Sequence, residues 1–157
     1  MGQFKVTEQR MADQVNYEFY GHIDEDTDFG KLPLNGIKKV TIDLAGVNAI
    51  NSCGIREWIK WIRTAETGSS FTFKKAQKAI IDQINMIDGF IPKGSNIESF
   101  YVPYFCEECD TASAILFTRG KEFNAGRPQV KESIPCSNCG KNAEIDVIEA
   151  QYFRFLD

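Results

Sequence analysis

Four of the five cysteines in this chain occur as two Cys-x-x-Cys pairs, Cys106 with Cys109 and Cys136 with Cys139. Two thiolates at this spacing converge on one ion from a tight turn, and two such pairs complete a tetrahedral site of the kind that binds Zn²⁺. The segment 110–135 is long enough to form strands that bring the pairs together. The sequence therefore predicts a closed, structural zinc site. Because four thiolates alone do not distinguish zinc from iron, an iron site remains an alternative, as do redox-active dithiols.

The residues that follow each pair bear on the turns they form. Gly140 follows the second pair and supplies the free backbone that a metal-binding knuckle needs. Asp110 follows the first pair, at a position where glycine is common. The cysteine pattern resembles a zinc ribbon, so we expect a small β-rich module over residues 106–157.

A second candidate for chemistry is the polar corner Asn51-Ser52-Cys53-Gly54. It follows an apolar run that is rich in β-branched residues, and it precedes apolar residues at helical spacing. This order predicts a strand, a tight turn and the start of a helix, with Asn51 or Ser52 as the N-cap. A hydroxyl at such a corner can also accept a phosphate, because the positive end of the helix dipole stabilises negative charge there.

The elements that must position these residues alternate between strands and helices. Such alternation indicates crossover connections and an α/β layer, which we assign to residues 1–105. No linker separates Phe105 from Cys106, so we expect the two modules to form one rigid unit. The predicted strands cover residues 4–8, 15–23, 37–44, 71–75, 97–105, 112–118 and 143–148, and the predicted helices cover 52–66 and 79–87.

Composition and the absence of certain motifs weigh against several classes of function. The formal net charge is −4, and residues 106–157 carry 6 basic and 9 acidic side chains, which makes the tail a poor surface for a nucleic acid. No apolar run approaches the ~20 residues that a membrane span needs, and the start of the chain does not look like a signal peptide, so we expect a cytoplasmic protein without a membrane partner. No nucleophile–base pair, glycine-rich phosphate loop or open metal site indicates an enzyme.

Three motifs give residues 4–102 a resemblance to the STAS domain, the fold of anti-sigma-factor antagonists. They are the segments 21–24 (Gly-His-Ile-Asp), 42–47 (Ile-Asp-Leu-Ala-Gly-Val) and 50–55 (Ile-Asn-Ser-Cys-Gly-Ile). The resemblance implies a STAS-like mixed sheet with helices. It also implies that a partner anti-sigma-type kinase phosphorylates Ser52 and that Asp24 lies close to it. The sequence departs from the family's usual corner at Asn51, where Asp is usual, and at Cys53, where a second hydroxyl is usual.

The resulting function hypothesis is a non-enzymatic regulatory module. We expect it to bind a regulatory protein through Asp24, Asn51, Ser52, Cys53 and Arg56, with phosphorylation of Ser52 as the switch. The alternative is an interaction scaffold in which Ser52 is inert and the ribbon is the docking surface. A nucleic-acid-binding ribbon is a third hypothesis, which the acidic tail weakens.

The two tryptophans lie on or beside the apolar stripe of the first predicted helix. We assign Trp58 to the core. Trp61 is expected to be partly exposed and able to anchor a partner.

Overall fold

The computed structural model describes residues 2–157, which form two β-sheets with helices packed between and beside them. The first sheet has five strands, which lie side by side in the order in which they occur along the chain. The first strand is antiparallel to the second, and all later neighbours are parallel. Its strands are β1 (Lys5–Met11), β2 (Gln14–Ile23), β3 (Lys39–Ile50), β4 (Ser70–Lys74) and β5 (Asn96–Ile97).

Two of the three connections between parallel neighbours contain an α-helix, whereas the connection from β2 to β3 contains only a 3₁₀ turn. Helix α1 (Ser52–Ile62) connects β3 to β4, and helix α2 (Lys78–Met86) connects β4 to β5. The order β-β-β-α-β-α-β is the predicted order, and the mixed α/β class is confirmed. None of the helices within residues 2–157 has the length and apolar character needed to cross a bilayer.

Period-2 alternation decides which face of the first sheet is buried. In β2 the side chains of Val15, Tyr17 and Phe19 are buried, while their neighbours in the strand are exposed. The same alternation in β3 buries Val40 and Ile42. The buried face receives the apolar stripe of α1, so burial of these rows fixes the position of the helix on the sheet.

Both tryptophans of α1 are buried. Trp58 is in the core, as predicted, and its Nε1 donates a hydrogen bond to the carbonyl oxygen of Phe90 at 2.8 Å. The prediction of a partly exposed Trp61 is wrong, because only 5% of this residue is exposed. A 3₁₀ turn at Phe29–Lys31 covers it; the Phe29 ring stacks on the indole at 4.9 Å, and the indole Nε1 donates to the Leu32 carbonyl at 2.7 Å.

The second sheet has four antiparallel strands in the order β7-β6-β9-β8. They are β6 (Ser99–Cys106), β7 (Thr111–Thr118), β8 (Ser133–Pro135) and β9 (Asn142–Ile145). The chain then forms the short helix α3 (Glu149–Tyr152) and a 3₁₀ turn at Arg154–Leu156.

The apolar run that we expected to be one strand of the first sheet is divided between the sheets. Residues 96–97 pair with β4, and the following β6 pairs with β7 and β9 in the second sheet. The second sheet thus begins before Cys106. A bridge on Ala76 marks the transfer, because Ala76 N donates to Ser99 O at 3.2 Å and Tyr101 N donates to Ala76 O at 2.9 Å.

Aromatic packing joins the second sheet to the C-terminal segment. The ring of Phe100 contacts five others, with centroid separations of 5.0 to 6.3 Å. Those rings come from β7, the loop after it and the C-terminal segment: Phe117, Phe123, Tyr152, Phe153 and Phe155. The Tyr152 hydroxyl also donates to the Tyr101 carbonyl at 2.5 Å, so the C-terminal helix is attached to β6. Phe100 lies before Cys106 and the five other rings lie after it, so this packing crosses the expected boundary between the two modules.

The start of α1 lies directly against the end of β2. Asn51 N donates to Ile23 O at 3.1 Å, and Gly54 lies against the backbone of Ile23 and Asp24. A Cβ atom on Gly54 would overlap the Ile23 carbonyl group. Glycine at position 54 therefore allows the start of α1 to approach the end of β2 closely.

We expect Gly54→Ala to lower the free energy of unfolding by about 1–3 kcal/mol, the usual cost of forcing a methyl group into a packed site. Denaturant unfolding measures this loss. The control is Lys60→Ala, on the exposed side of the same helix, which should change stability by no more than ~0.5 kcal/mol. A Gly54→Ala protein as stable as the wild type would contradict the close approach.

Candidate functional site

The four paired cysteines form one cluster at the end of the second sheet. Cys106 ends β6, Cys109 lies in the turn to β7, and the other pair lies in the turn between β8 and β9. The four sulfur atoms lie within 4.8 Å of one another, with Sγ–Sγ distances of 3.6 Å for Cys106–Cys139 and 3.7 Å for Cys109–Cys136. A tetrahedral ion with metal–sulfur bonds of ~2.3 Å requires sulfur separations of roughly 3.8 Å. The cluster therefore has the dimensions of a four-thiolate metal site.

Hydrogen bonds around the cluster favour thiolates at two positions. Thr111 Oγ1 lies 3.1 Å from Cys109 Sγ and, with Asn138, lowers the pKa of Cys109 to about 6. The backbone N–H groups of Cys139 and Asn138 lower the pKa of Cys136. Sequence reasoning missed Thr111 and Asn138, although their positions beside or within the two pairs are a usable signal.

The pKa of Cys139 is shifted in the opposite direction. The backbone N–H of Lys141 lowers the pKa of Cys139, but partial desolvation of this exposed thiol and its hydrogen bonds with Cys106, Cys109 and Cys136 outweigh it and raise the pKa to about 12. Like charges also repel, so negative charge on some of the sulfurs disfavours negative charge on the rest. A divalent cation at the centre of the cluster removes this conflict, because it stabilises all four thiolates together.

Both knuckles contain a residue in the left-handed backbone region. Gly140 has φ +77°, as expected for the residue after the second pair, and its N–H donates to Cys136 O at 2.9 Å. Asp110 has φ +54° at the matching position of the first knuckle. Aspartate is one of the few residues that tolerate this conformation, so the absence of glycine leaves the turn intact.

At the corner before α1, one residue caps the helix and the next carries an exposed hydroxyl. Asn51 is the N-cap, because its Oδ1 accepts a hydrogen bond from Gly54 N at 2.8 Å. Ser52 is the first residue of the helix and is exposed. Within residues 2–157 its hydroxyl makes no hydrogen bond. The choice between Asn51 and Ser52 as the cap is thereby resolved in favour of Asn51.

Acidic residues of the loop after β2 lie beside the cap. Asn51 Nδ2 donates to Glu25 Oε1 at 3.0 Å. The backbone N–H of Glu25, and then the Asn51 amide, lower the pKa of Glu25, so this exposed carboxylate is charged at neutral pH. Asp24 accepts from Asp26 N at 3.0 Å within its own loop. Sequence reasoning missed Glu25, and no local motif connects it to Asn51.

The other two predicted residues lie on the first turns of α1. Cys53 is half-buried and lies outside the four-sulfur cluster. Arg56 lies about one turn after Ser52, and 64% of its side chain is exposed, with Nε 3.7 Å from Glu57 Oε2. A loose pair of this kind leaves the guanidinium available to an anion. All five predicted residues thus come from α1, its cap and the adjacent loop.

Comparisons with known proteins give similarity at the level of solved structures. No protein-family model matches the chain, and no curated protein matches it. Among solved structures, an anti-sigma factor antagonist from Mycobacterium paratuberculosis is similar, with a TM-score of 0.42 and 15% sequence identity. The alignment covers 50% of this chain and 72% of that one.

Separate alanine substitutions of Asn51 and Ser52 distinguish the residue that caps α1 from the residue that only exposes a hydroxyl. We expect Asn51→Ala to cost about 1 kcal/mol of stability, since it removes the cap of α1. Ser52→Ala should change stability by no more than ~0.5 kcal/mol, because its hydroxyl is not used in capping. Thermal and denaturant unfolding of both variants measure the difference. An equal or larger loss of stability for Ser52→Ala would contradict the assignment of the N-cap to Asn51.

Proposed function

We propose that this chain is a non-enzymatic regulatory module that binds a protein partner through the surface around Ser52. We define the Ser52 surface as Asp24, Asn51, Ser52, Cys53 and Arg56. The observation that carries the proposal is the exposed Ser52 hydroxyl at the start of an 11-residue helix whose cap is supplied by Asn51. A modification of this hydroxyl changes the surface without removing the cap.

Phosphorylation of Ser52 is the proposed switch. A phosphate carries about −1.5 to −2 charges at neutral pH and would be added next to the Asn51–Glu25 hydrogen bond. Repulsion between the phosphate and the Glu25 carboxylate favours loss of that bond, whereas the helix start and Arg56 attract the phosphate. The charge and the shape of the Ser52 surface then change together, which is what a phosphorylation-dependent interaction requires.

The partner class follows from the resemblance of residues 4–102 to the STAS domain. We propose a regulatory protein, with an anti-sigma-type kinase as the source of the phosphate, acting in the cytoplasm. The substitution of asparagine for the family's usual aspartate at position 51 is compatible with this role, since the Asn51 side chain still caps the helix.

The proposed cofactor is one structural Zn²⁺, held by Cys106, Cys109, Cys136 and Cys139. All four positions of a tetrahedral ion are filled by sulfur, so no open position remains for a substrate. We propose residues 106–157 as the ribbon module and 1–105 as the STAS-like module; β6, which ends at Cys106, connects them and pairs with strands of the second sheet. The metal stabilises the turns at which the ribbon strands meet.

Purified protein should contain about one zinc ion per chain by elemental analysis, and its spectrum should lack the visible absorption of iron thiolates. We expect Cys109→Ser to lose most of the metal and to unfold at a lower temperature. Cys53→Ser is the matched control, because Cys53 lies outside the cluster, and it should retain the metal. Iron at full occupancy, or no bound metal, would contradict the zinc proposal.

Affinity capture tests the switch. We expect Ser52→Asp and Ser52→Ala to differ about tenfold in the amount of the principal partner they capture from native cytoplasm, because charge at an interface discriminates strongly between partners. Phosphopeptide mass spectrometry of the native protein should find the modified residue at Ser52. Gln9→Glu, which adds one charge on the exposed strand β1, should behave as the wild type.

Equal capture by both Ser52 variants would reject the switch. If changes on the ribbon surface then abolished capture, the chain would be the interaction scaffold that docks through its ribbon. A salt-dependent shift of a labelled nucleic acid would instead favour the nucleic-acid-binding hypothesis.

A further inference from the structure

The two sheets have four edge strands, and three of them carry features that discourage pairing with another chain. Strand β1 presents charged side chains, including Lys5, Glu8 and Arg10. Strand β5 has only 2 residues, and β8 has 3 and ends in Pro135. Charge, short length and proline are the usual protections of an exposed edge.

Strand β7 has none of these protections. Its sequence Thr-Ala-Ser-Ala-Ile-Leu-Phe-Thr has 8 residues without a charge or a proline. Its register with β6 continues without a bulge from Thr111 to Thr118. Ala112 and Ala114 are exposed, and Ile115 is 38% exposed. An edge that is long, regular and uncharged is a template for a further strand.

Hydrogen bonds at the end of β7 establish which backbone groups face outward. Arg119 N donates to Glu98 O at 2.7 Å, on the β6 side. Thr118 N donates to Glu122 Oε1 at 2.8 Å, on the other side. Because direction alternates along an antiparallel strand, Ala112, Ala114 and Leu116 also face away from β6. In the part of the chain that the structure describes, their backbone groups have no partner.

We propose that β7 pairs antiparallel with β7 of a second copy of this chain, about a two-fold axis at Ala114. In this register the outward-facing residues meet as hydrogen-bonded pairs: Ala114 with Ala114, and Ala112 with Leu116, each with the residue of the other copy. The two four-stranded sheets then form one continuous sheet. This inference is independent of the proposed role of Ser52.

The composition of β7 favours its own copy as the occupant. An isologous contact requires a strand that is complementary to itself. In the Ala114 register every unlike pair joins a smaller residue to a larger one: Ala112 to Leu116, Ser113 to Ile115, and Thr111 to Phe117. No charged side chain meets another within the pairing. Glu122, which already accepts from Thr118 N, and Asp110 limit the pairing at its two ends.

Sedimentation of the zinc-loaded full chain tests the pairing. We expect a reversible dimer with a dissociation constant in the micromolar range, since one strand pair buries less area than a standard interface. Ala114→Pro should raise that constant about 30-fold, because it removes the two donors at the axis, each bond having ordinary strength. Ala114 N does not bond to β6, so the fold should be retained, as circular dichroism and zinc content can verify.

A second pair of variants keeps the test independent of proline. Ala114→Lys places two like charges at the axis and should give a monomer, whereas Gln9→Lys on the β1 edge should leave the dimer unchanged. A wild-type chain that remains monomeric, or a dimer that survives both Ala114 variants, would overturn the proposal. A monomer that instead binds an extended peptide from another protein at β7 would also overturn it.

Cysteine cross-linking tests the register. In a Cys53→Ser background, Ala114→Cys should form an intermolecular disulfide with its own copy, because Cα atoms of a hydrogen-bonded pair lie ~5.5 Å apart. Ala112→Cys should not, since its own copy lies four residues further along the strand. Equal cross-linking at both positions, or cross-linking only at Ala112→Cys, would reject the two-fold axis at Ala114.

Discussion

Strand β6 is the constraint on which the arrangement of this chain depends. Its first residues hydrogen-bond to Ala76, which follows β4 of the first sheet. All of β6 pairs with β7, Tyr104 and Phe105 pair with β9, and the last residue of the strand is Cys106. Phe100, near its start, is the centre of the aromatic packing that includes the C-terminal segment. Because one strand takes part in all these contacts, the two sheets cannot shift relative to each other without loss of buried area and hydrogen bonds.

At the start of α1, the residues that hold the helix in place differ from the residue that is exposed. Capping by Asn51 and the close approach at Gly54 fix the helix against the end of β2. Ser52, between them, contributes to neither and remains exposed. Because Ser52 takes no part in capping or packing, its modification changes the surface and leaves the fold intact. The charged carboxylate of Glu25, in the acidic loop beside Ser52, would repel a negative charge added there.

Local patterns predicted the parts of the structure that are determined locally. Alternation identified β2, the helical stripe identified α1, and cysteine spacing identified all four members of the cluster. Local patterns failed where distant contacts decide. The apolar run 97–105 reads as one strand, and only the bridge to Ala76 divides it between two sheets. Trp61 was expected at the surface because no feature of α1 indicates that the 3₁₀ turn at Phe29–Lys31 covers it.

The sulfur cluster and the open edge of the second sheet are physically connected. Thr111, the first residue of β7, pairs with Cys106 and lies 3.1 Å from Cys109 Sγ through its hydroxyl. The knuckle therefore fixes the point at which β7 leaves the turn, and with it the alternation that directs Ala112 and Ala114 outward. A one-residue slip here would exchange the two faces and the two edges of the strand. In our proposal the metal accordingly does more than stabilise the ribbon, because it sets the register in which β7 can meet a second copy of itself.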